Sequence, residues 1–365
     1  MKIALLGTRG VPAQYGGFET AAEEIGARLA TRGHEVVVYC RNQDQHLRSY
    51  RGMRLVNLPA IRHRAMETLS HTLLSAIHAS TRRFDCAILF NAANAPALPL
   101  LRMPSAVHMD GLEWRRAKWQ GTAQRYLRWS ERRAVNGADA VIADARGIQT
   151  YVRETYNRES VFIPYGAPIL NEDPAARPAI DVQPGEFHLL VARIEPENSI
   201  ELVLHAYQSS SARYPLVVIG DNPYPSEYLR RCIELLRASE QIIWLGSVWN
   251  QTELDWCYAN CLTYLHGHTV GGTNPSLLRA MGAGAGVIAR DVSFNREVCG
   301  PDGEYFSDED QLIAALMQAE REPSAAVRRG GNLRHRASRE YRWDAVAEAY
   351  EDLCADLSAR KSVPA

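Results

Sequence analysis

Twice along this 365-residue chain a short apolar run stops at a loop, a helical pattern follows, and another apolar run returns. The first series opens with Ile3–Leu6, a continuous apolar run ending at Gly7, as expected of a strand buried in a parallel sheet. A glycine-rich turn spans Gly7 to Gly17. A helical stretch from Phe18 to Arg32 then carries Ile25 and Leu29 on one face, and Gly33 stops it. His34–Cys40, Arg54–Leu58, Cys86–Phe90, Ser105–His108 and Ala140–Ala143 supply further strands. A second series starts after Pro184-Gly185, with strands at Phe187–Ala192, Leu216–Ile219, Ile242–Leu245, Leu262–Leu265 and Gly286–Ala289. Such alternation predicts a doubly wound α/β architecture, repeated. Residues 163–184 hold five prolines and few apolar runs, so they read as the linker. The expected domains are 1–168 and 169–340. The segment 341–365 carries a last helix near Ala345–Ala359, expected to pack back toward the N-terminal domain. In open α/β sheets ligands bind beyond the carboxyl ends of the strands, so two such domains predict a cleft faced by loops from both.

Composition narrows the function. Apolar residues make up 46% and charged residues 23%, which excludes a disordered or collagen-like chain. The seven cysteines are odd in number and irregularly spaced, which speaks against a disulfide scaffold and for the reducing cytoplasm. Cys257 and Cys261 stand four apart on a predicted helix. Core packing is the expected role there, since no further metal ligands are evident at suitable spacing. The apolar run before Gly7 is too short for a signal-peptide core, and no run reaches the length of a membrane span. The net charge of −1 hides an asymmetry: residues 1–168 carry +9 and residues 169–365 carry −10.

A dinucleotide site would need Gly-x-Gly-x-x-Gly after the first strand and an acid about 20 residues later. Gly7-Thr8-Arg9-Gly10 fails that spacing, the second strand ends at Cys40-Arg41, and Ala192-Arg193-Ile194 has no glycine. What remains is Arg9, Gly10, Gly16 and Gly17 ahead of a helix N-terminus. That is either a phosphate- or sugar-contacting loop or a structural turn.

Five segments together resemble one family: GTRGVPAQYGGFET near the start, DGLEWRRAKW at Asp110–Trp119, LLVARIEPEN at Leu189–Asn198, VIGDNPY at Val218–Tyr224, and HGHTVGGTNPSLLRAMGAG at His266–Gly284. The chain resembles the family-4 glycosyltransferases of the two-domain GT-B fold, and within them a bacterial rhamnosyltransferase-like branch of surface polysaccharide synthesis. The resemblance runs from Met1 to about Tyr350. It implies two Rossmann-like domains facing across a cleft. It also implies a nucleotide-diphosphate sugar as co-substrate held mainly by the C-terminal domain, no metal or other cofactor, and retention of configuration.

On that resemblance Arg193 is the expected phosphate-binding arginine, and Asn198 stands where many relatives have a lysine. The loop with His266, Gly271, Gly272, Thr273 and Asn274 is expected to meet the donor, although Asn274 with Pro275 also reads as an N-cap. Relatives commonly show two Glu residues eight positions apart; here Gly271 and Arg279 occupy those places, with Arg279 expected at the donor. Asp110, and His108 after it, are the expected catalytic groups near the acceptor hydroxyl. A turn residue before Gly111 is the plainer role for Asp110.

Between Trp114 and Ala134 cations and aromatics interleave, with Glu131 as an interruption. Arg115, Arg116, Lys118, Trp119, Arg125 and Trp129 read as an acceptor or membrane surface, against a solvated helix with a core stripe. The expected partners are a nucleotide sugar, a saccharide or lipid-linked saccharide acceptor, and the anionic inner face of the cell membrane, but no nucleic acid. The rival readings are a glycosyltransferase acting on a soluble small molecule, and a non-catalytic nucleotide- or glycan-binding homologue.

Overall fold

A computed structural model describes residues 1–13, 16–41, 47–61, 66–116, 119–170, 177–222 and 224–361. The first series of elements is β1 (Lys2–Leu6), α1 (Gly17–Thr31), β2 (Glu35–Cys40), β3 (Ser49–Tyr50), β4 (Met53–Asn57), α2 (Glu67–Ser80) and β5 (Cys86–Phe90). A 3-10 segment, Ala92–Leu100, leads on to β6 (Ser105–Met109), α3 (Gly121–Gly137), β7 (Ala140–Ala143), α4 (Arg146–Tyr156) and β8 (Val161–Phe162). Their sheet runs β3-β4-β2-β1-β5-β6-β7-β8, parallel except for the short edge strand β3. Leu5 pairs with Val38 on one side and Ile88 on the other, and the flanking strands are apolar and buried over 36–40 and 86–90. That is why these strands read as continuous apolar runs rather than alternating ones.

The second series is β9 (His188–Val191), α5 (Ile200–Ser209), β10 (Leu216–Ile219), α6 (Glu227–Arg237), β11 (Ile242–Trp244), α7 (Gln251–Asn260) and β12 (Thr263–His266). It continues through α8 (Pro275–Ala283), β13 (Gly286–Arg290), α9 (Ser293–Cys299), β14 (Glu304–Phe306), α10 (Glu309–Arg321) and α11 (Pro323–Glu340). The sheet is β11-β10-β9-β12-β13-β14, all parallel. Leu190, Val203, Leu265, Ile288 and Leu316 belong to one buried cluster between sheet and helices.

The chain forms two compact units. One is Met1–Tyr165 together with the last helix, α12 (Trp343–Lys361); the other is Gly166–Arg342. The helix α12 packs on α1 and β5. Val346, Tyr350, Leu353 and Leu357 are buried, and Arg28–Asp344 (2.8 Å) and Arg32–Glu351 (2.6 Å) tie its flank to α1. Among the described residues no helix is long and apolar enough to cross a membrane. All seven cysteines are free and buried, and Cys261 is the residue closing α7 rather than part of it.

The short strands β3, β8 and β14 have too few residues to show a period in sequence. The helix α11 is concealed by Gly330-Gly331, which reads as a break. The two glycines do different things. A Cβ on Gly330 would lie 2.0 Å from the Gly284 carbonyl oxygen, whereas one on Gly331 would meet nothing within 4 Å. The close approach of α11 to the end of α8 therefore requires glycine at one position only. Gly331→Ala is expected to raise the stability of the second unit by about 0.5–1 kcal/mol. Gly330→Ala is expected to lower it by about 1–3 kcal/mol, because backbone rather than a side chain stands in the way. Paired thermal melts would check the opposite signs.

Candidate functional site

In the second unit the loops after β9 and β12 come together, and these strands are neighbours in the sheet. The β9 loop carries Arg193, half-buried, and a 3-10 turn at Pro196–Asn198. Asn198 folds back so that its Nδ2 donates to the Arg193 carbonyl at 2.8 Å. The β12 loop lies directly on this turn. Thr269 donates from both its N–H (2.8 Å) and its hydroxyl (2.9 Å) to the Glu197 carbonyl. A Cβ on Gly267 would stand 2.1 Å from the Asn198 carbonyl oxygen, so only glycine permits the contact.

Two polar atoms point to a ligand at this assembly. Asn198 is 2% exposed, and its Oδ1 has no hydrogen-bond partner. His266 is fully buried; its Nδ1 pairs with the Tyr264 hydroxyl at 3.2 Å while its Nε2 has none. Burial pushes the imidazole down to about 3, so it is neutral at physiological pH. The ring stacks on His268 at 4.3 Å. A buried polar atom left unpaired costs about 1–3 kcal/mol, which a sugar hydroxyl would relieve at either atom and a phosphate oxygen only at a donating Nε2.

Asn274 does cap α8: its Oδ1 accepts from the Ser276 N–H at 3.0 Å and hydroxyl at 2.7 Å. Of the first four helical positions, Pro275 has no N–H, Ser276 is capped, and Leu278 donates to the Asn274 carbonyl. The helix terminus is thus largely satisfied by its own residues. Donors for an anion would come from the preceding Gly271, Gly272 and Thr273 loop, where Gly272 and Thr273 are buried.

Arg279 is placed differently from expectation. Its Nε lies 2.6 Å from Asp255 Oδ1 on α7, with both side chains about three-quarters buried. The cation that replaces the relatives' acid is thereby matched by an acid on a neighbouring helix. Sequence reading missed Asp255, since nothing in the spacing pairs it with Arg279.

In the first unit Asp110 directly follows β6. Its Oδ2 lies 3.5 Å from the Tyr165 hydroxyl, and it lines a small cavity of about 10 Å³, room for one water, with Phe18, Asn91, Glu113 and Trp114. Asp144, 1% exposed, follows β7 just as Asp110 follows the neighbouring β6. Its place after a parallel strand was a legible signal that sequence reading passed over.

The structure places His108 in the core, with its Nε2 unpartnered like that of His266. It is 1% exposed, ringed by Phe18, Phe90, Tyr165 and Tyr350, and its Nδ1 pairs with the Tyr350 hydroxyl at 2.8 Å. Burial pushes it down to about 3. The last helix was expected to pack back toward the N-terminal domain, but that it would bring Tyr350 onto His108 left no mark in the sequence.

The first loop is held by its own unit, as a structural turn would be. The Arg9 N–H donates to Glu19 Oε1 at 2.8 Å, and the Gly10 N–H donates to Thr8 Oγ1 at 3.0 Å. Glu23 takes the Ala13 N–H at 2.7 Å. Glu19, at the start of α1 just after Gly16 and Gly17, is nine-tenths buried, and burial raises its carboxyl despite the Arg9 donor. Two acids of α1 thus hold the backbone of this loop.

The cation-rich stretch is a turn and a helix rather than one helix. Arg116 pairs with Glu113 at 2.9 Å and Trp119 Nε1 donates to Glu113 at 3.2 Å, which removes both from an open surface. Arg115, Arg125 and Trp129 are exposed; Lys118 lies outside the described residues.

Residues 16–166 match the family model described as a glycosyl transferase 4-like domain, and residues 177–342 match that of glycosyl transferases group 1. The O-antigen chain mannosyltransferase B of Escherichia coli is 27% identical over 139 residues. That match covers 36% of each chain, so it spans about a third of the relative's length. Among solved structures, a sucrose-phosphate synthase from Thermosynechococcus elongatus aligns at TM-score 0.83 and 20% identity over 98% of this chain and 99% of that one. HepE of Anabaena in complex with UDP aligns at TM-score 0.74 and 15% identity over 98% and 100%.

The Arg279–Asp255 pair yields a test. Arg279→Glu and Asp255→Arg are each expected to lower thermal stability, and the double reversal to recover about 1 kcal/mol of coupling. Arg279→Gln is expected to leave nucleotide affinity within about threefold; a tenfold loss, about 1.4 kcal/mol, would place Arg279 at the ligand instead.

Proposed function

Given that this chain belongs to the family-4 glycosyltransferases of the GT-B fold, we propose that it transfers a sugar from a nucleotide-diphosphate donor to a saccharide acceptor. The observation that carries the reading is the assembly of the β9 and β12 loops, with two buried polar atoms, Asn198 Oδ1 and His266 Nε2, left without partners beside Arg193 and a glycine loop. HepE, with which this fold is shared, was solved with UDP and with UDP-glucose.

Transfer breaks the bond from the anomeric carbon to the diphosphate oxygen, so negative charge grows on the leaving group. Arg193 and the Gly271–Thr273 backbone are assigned to that charge; a charged hydrogen bond there contributes about 1.5–3 kcal/mol. Asn198 and His266 are assigned to donor hydroxyls. His266 is neutral and donates from Nε2 if its Nδ1 accepts from Tyr264. Asp110 is assigned to the acceptor hydroxyl, where a carboxylate can accept the proton or steady an oxocarbenium.

The finer reading is a metal-independent, retaining transfer of a hexose or deoxyhexose to a lipid-linked saccharide. The partial similarity to a mannosyltransferase of O-antigen chains supports the sugar and acceptor class. The loss of both family acids at Gly271 and Arg279 favours the alternative, a nucleotide-binding homologue without turnover.

A panel of nucleotide sugars, assayed for nucleotide binding, donor hydrolysis and transfer, separates the two. Transfer with one base is expected, with Arg193→Ala weakening nucleoside-diphosphate binding at least about tenfold. Asp110→Asn is expected to lower kcat about a hundredfold while leaving that binding in place. Nucleotide binding without turnover on any donor would identify the non-catalytic homologue; no nucleotide binding at all would sink both readings.

A further inference from the structure

One face of the first unit has a composition that the transfer reaction does not use. The connections β4 to β5 and β6 to β7 cross the sheet in the same direction, so right-handed crossovers put α2 and α3 on one face. The opposite face carries α1 and α12. Both α2 and α3 pack against the 3-10 segment Ala92–Leu100, which lies between them.

The outer surface of this layer sorts its charges. From Met66 to Gly137 eight described arginines are exposed, and no described acidic residue is. The acids of this stretch are buried or half-buried, and two are occupied well away from the outer surface. Glu131, which interrupts the basic run in sequence, is 3% exposed and accepts from Trp114 Nε1 (3.0 Å) and the hydroxyls of Tyr151 (2.6 Å) and Tyr156 (2.7 Å). Asp85 accepts the Lys2 N–H at 2.7 Å. On α3 the exposed row is Arg125, Arg128, Arg132 and Arg133 around Trp129, which is 47% exposed. A groove of about 410 Å³ runs along Trp129, Arg132 and Arg133.

Beside the cations stand aliphatic side chains in water. Leu74 is 43% and Ile77 50% exposed on α2, and Leu100 is 37% exposed at the end of the 3-10 segment. Nucleic acid would use the arginines and the tryptophan but has no use for exposed leucine and isoleucine. A bilayer interface uses both: aliphatics enter the acyl boundary while guanidiniums meet anionic headgroups.

We infer that the α2–α3 face docks the first unit on a bilayer containing anionic lipid, with Leu74, Ile77 and Leu100 entering the interface and the α3 arginines on the headgroups. The docking is independent of the transfer reading above, since vesicle binding requires no donor and no turnover.

The test is co-sedimentation of the full chain with phosphatidylcholine vesicles, with and without phosphatidylglycerol, at low and high salt. Binding is expected only where phosphatidylglycerol is present. Arg125→Glu with Arg132→Glu is expected to weaken it at least about tenfold. Ile77→Asp is expected to abolish the fraction that survives high salt, since screening removes the electrostatic part and leaves the inserted part. If either variant fails to fold, Arg128→Gln with Arg133→Gln and Leu74→Ser carry the same comparison. No binding to anionic vesicles at low salt, equal binding to neutral ones, or variants that bind like the parent would overturn the docking. So would tighter binding to a single-stranded oligonucleotide than to vesicles, which would make nucleic acid the partner.

Discussion

The candidate site of the second unit rests on one close contact, the β12 loop lying backbone to backbone on the turn that follows β9. Gly267 makes the contact possible, because any side chain there would stand 2.1 Å from the Asn198 carbonyl oxygen. Held this way, Asn198 is buried with one oxygen unmatched, and Arg193 is tied to it through its own carbonyl. Parallel strands explain why this happens at the carboxyl ends: adjacent β9 and β12 deliver their loops to the same edge of the sheet. The two strands are separated by more than 70 residues of chain, so the juxtaposition is a property of strand order.

The first unit reaches a related solution with different chemistry. Its acids Asp110 and Asp144 follow neighbouring strands, while Glu19 and Glu23 on α1 are spent on the backbone of the glycine loop. A row of exposed cations lies elsewhere, on the outer side of α3. The surplus of +9 in residues 1–168 is shared, with +5 in residues 1–65, +5 in residues 66–137 and −1 in residues 138–168. On the α2–α3 layer of residues 66–137 the exposed charges among the described residues are all cationic, with Glu131 taken up by two tyrosines and a tryptophan and Asp85 by a backbone donor. A long-range field from such a layer is screened beyond about 8 Å at physiological salt, so it acts on a surface in contact and little on a distant one.

Much of the fold was legible from the sequence. Cys86–Phe90, Ala140–Ala143 and Leu216–Ile219 fall where the apolar runs put them, and α8 begins at Pro275 under an Asn274 cap. Buried parallel strands need unbroken apolar runs, and caps need particular side chains, so both leave local marks. The strands β3, β8 and β14 left none because two or three residues carry no period. The helix α11 was hidden by a glycine that serves packing against α8 rather than chain reversal.

The candidate site was less legible, and the reason is physical. Sequence determined which residues could hold an anion or a proton, and that they follow strands. It could not determine which of them would already be matched. Arg279 is paired by Asp255, the Arg9 N–H by Glu19, Arg116 by Glu113, and His108 is covered by Tyr350 from a helix more than 200 residues away. Each pairing depends on distance in space between groups remote in the chain, and hydrogen bonds and ion pairs act over only a few ångströms. The alternation of strands and helices, the glycine loops and the charge split belong to the sequence. Which cations stay at a surface, and which polar atoms stay unmatched for a ligand, was decided by tertiary packing alone.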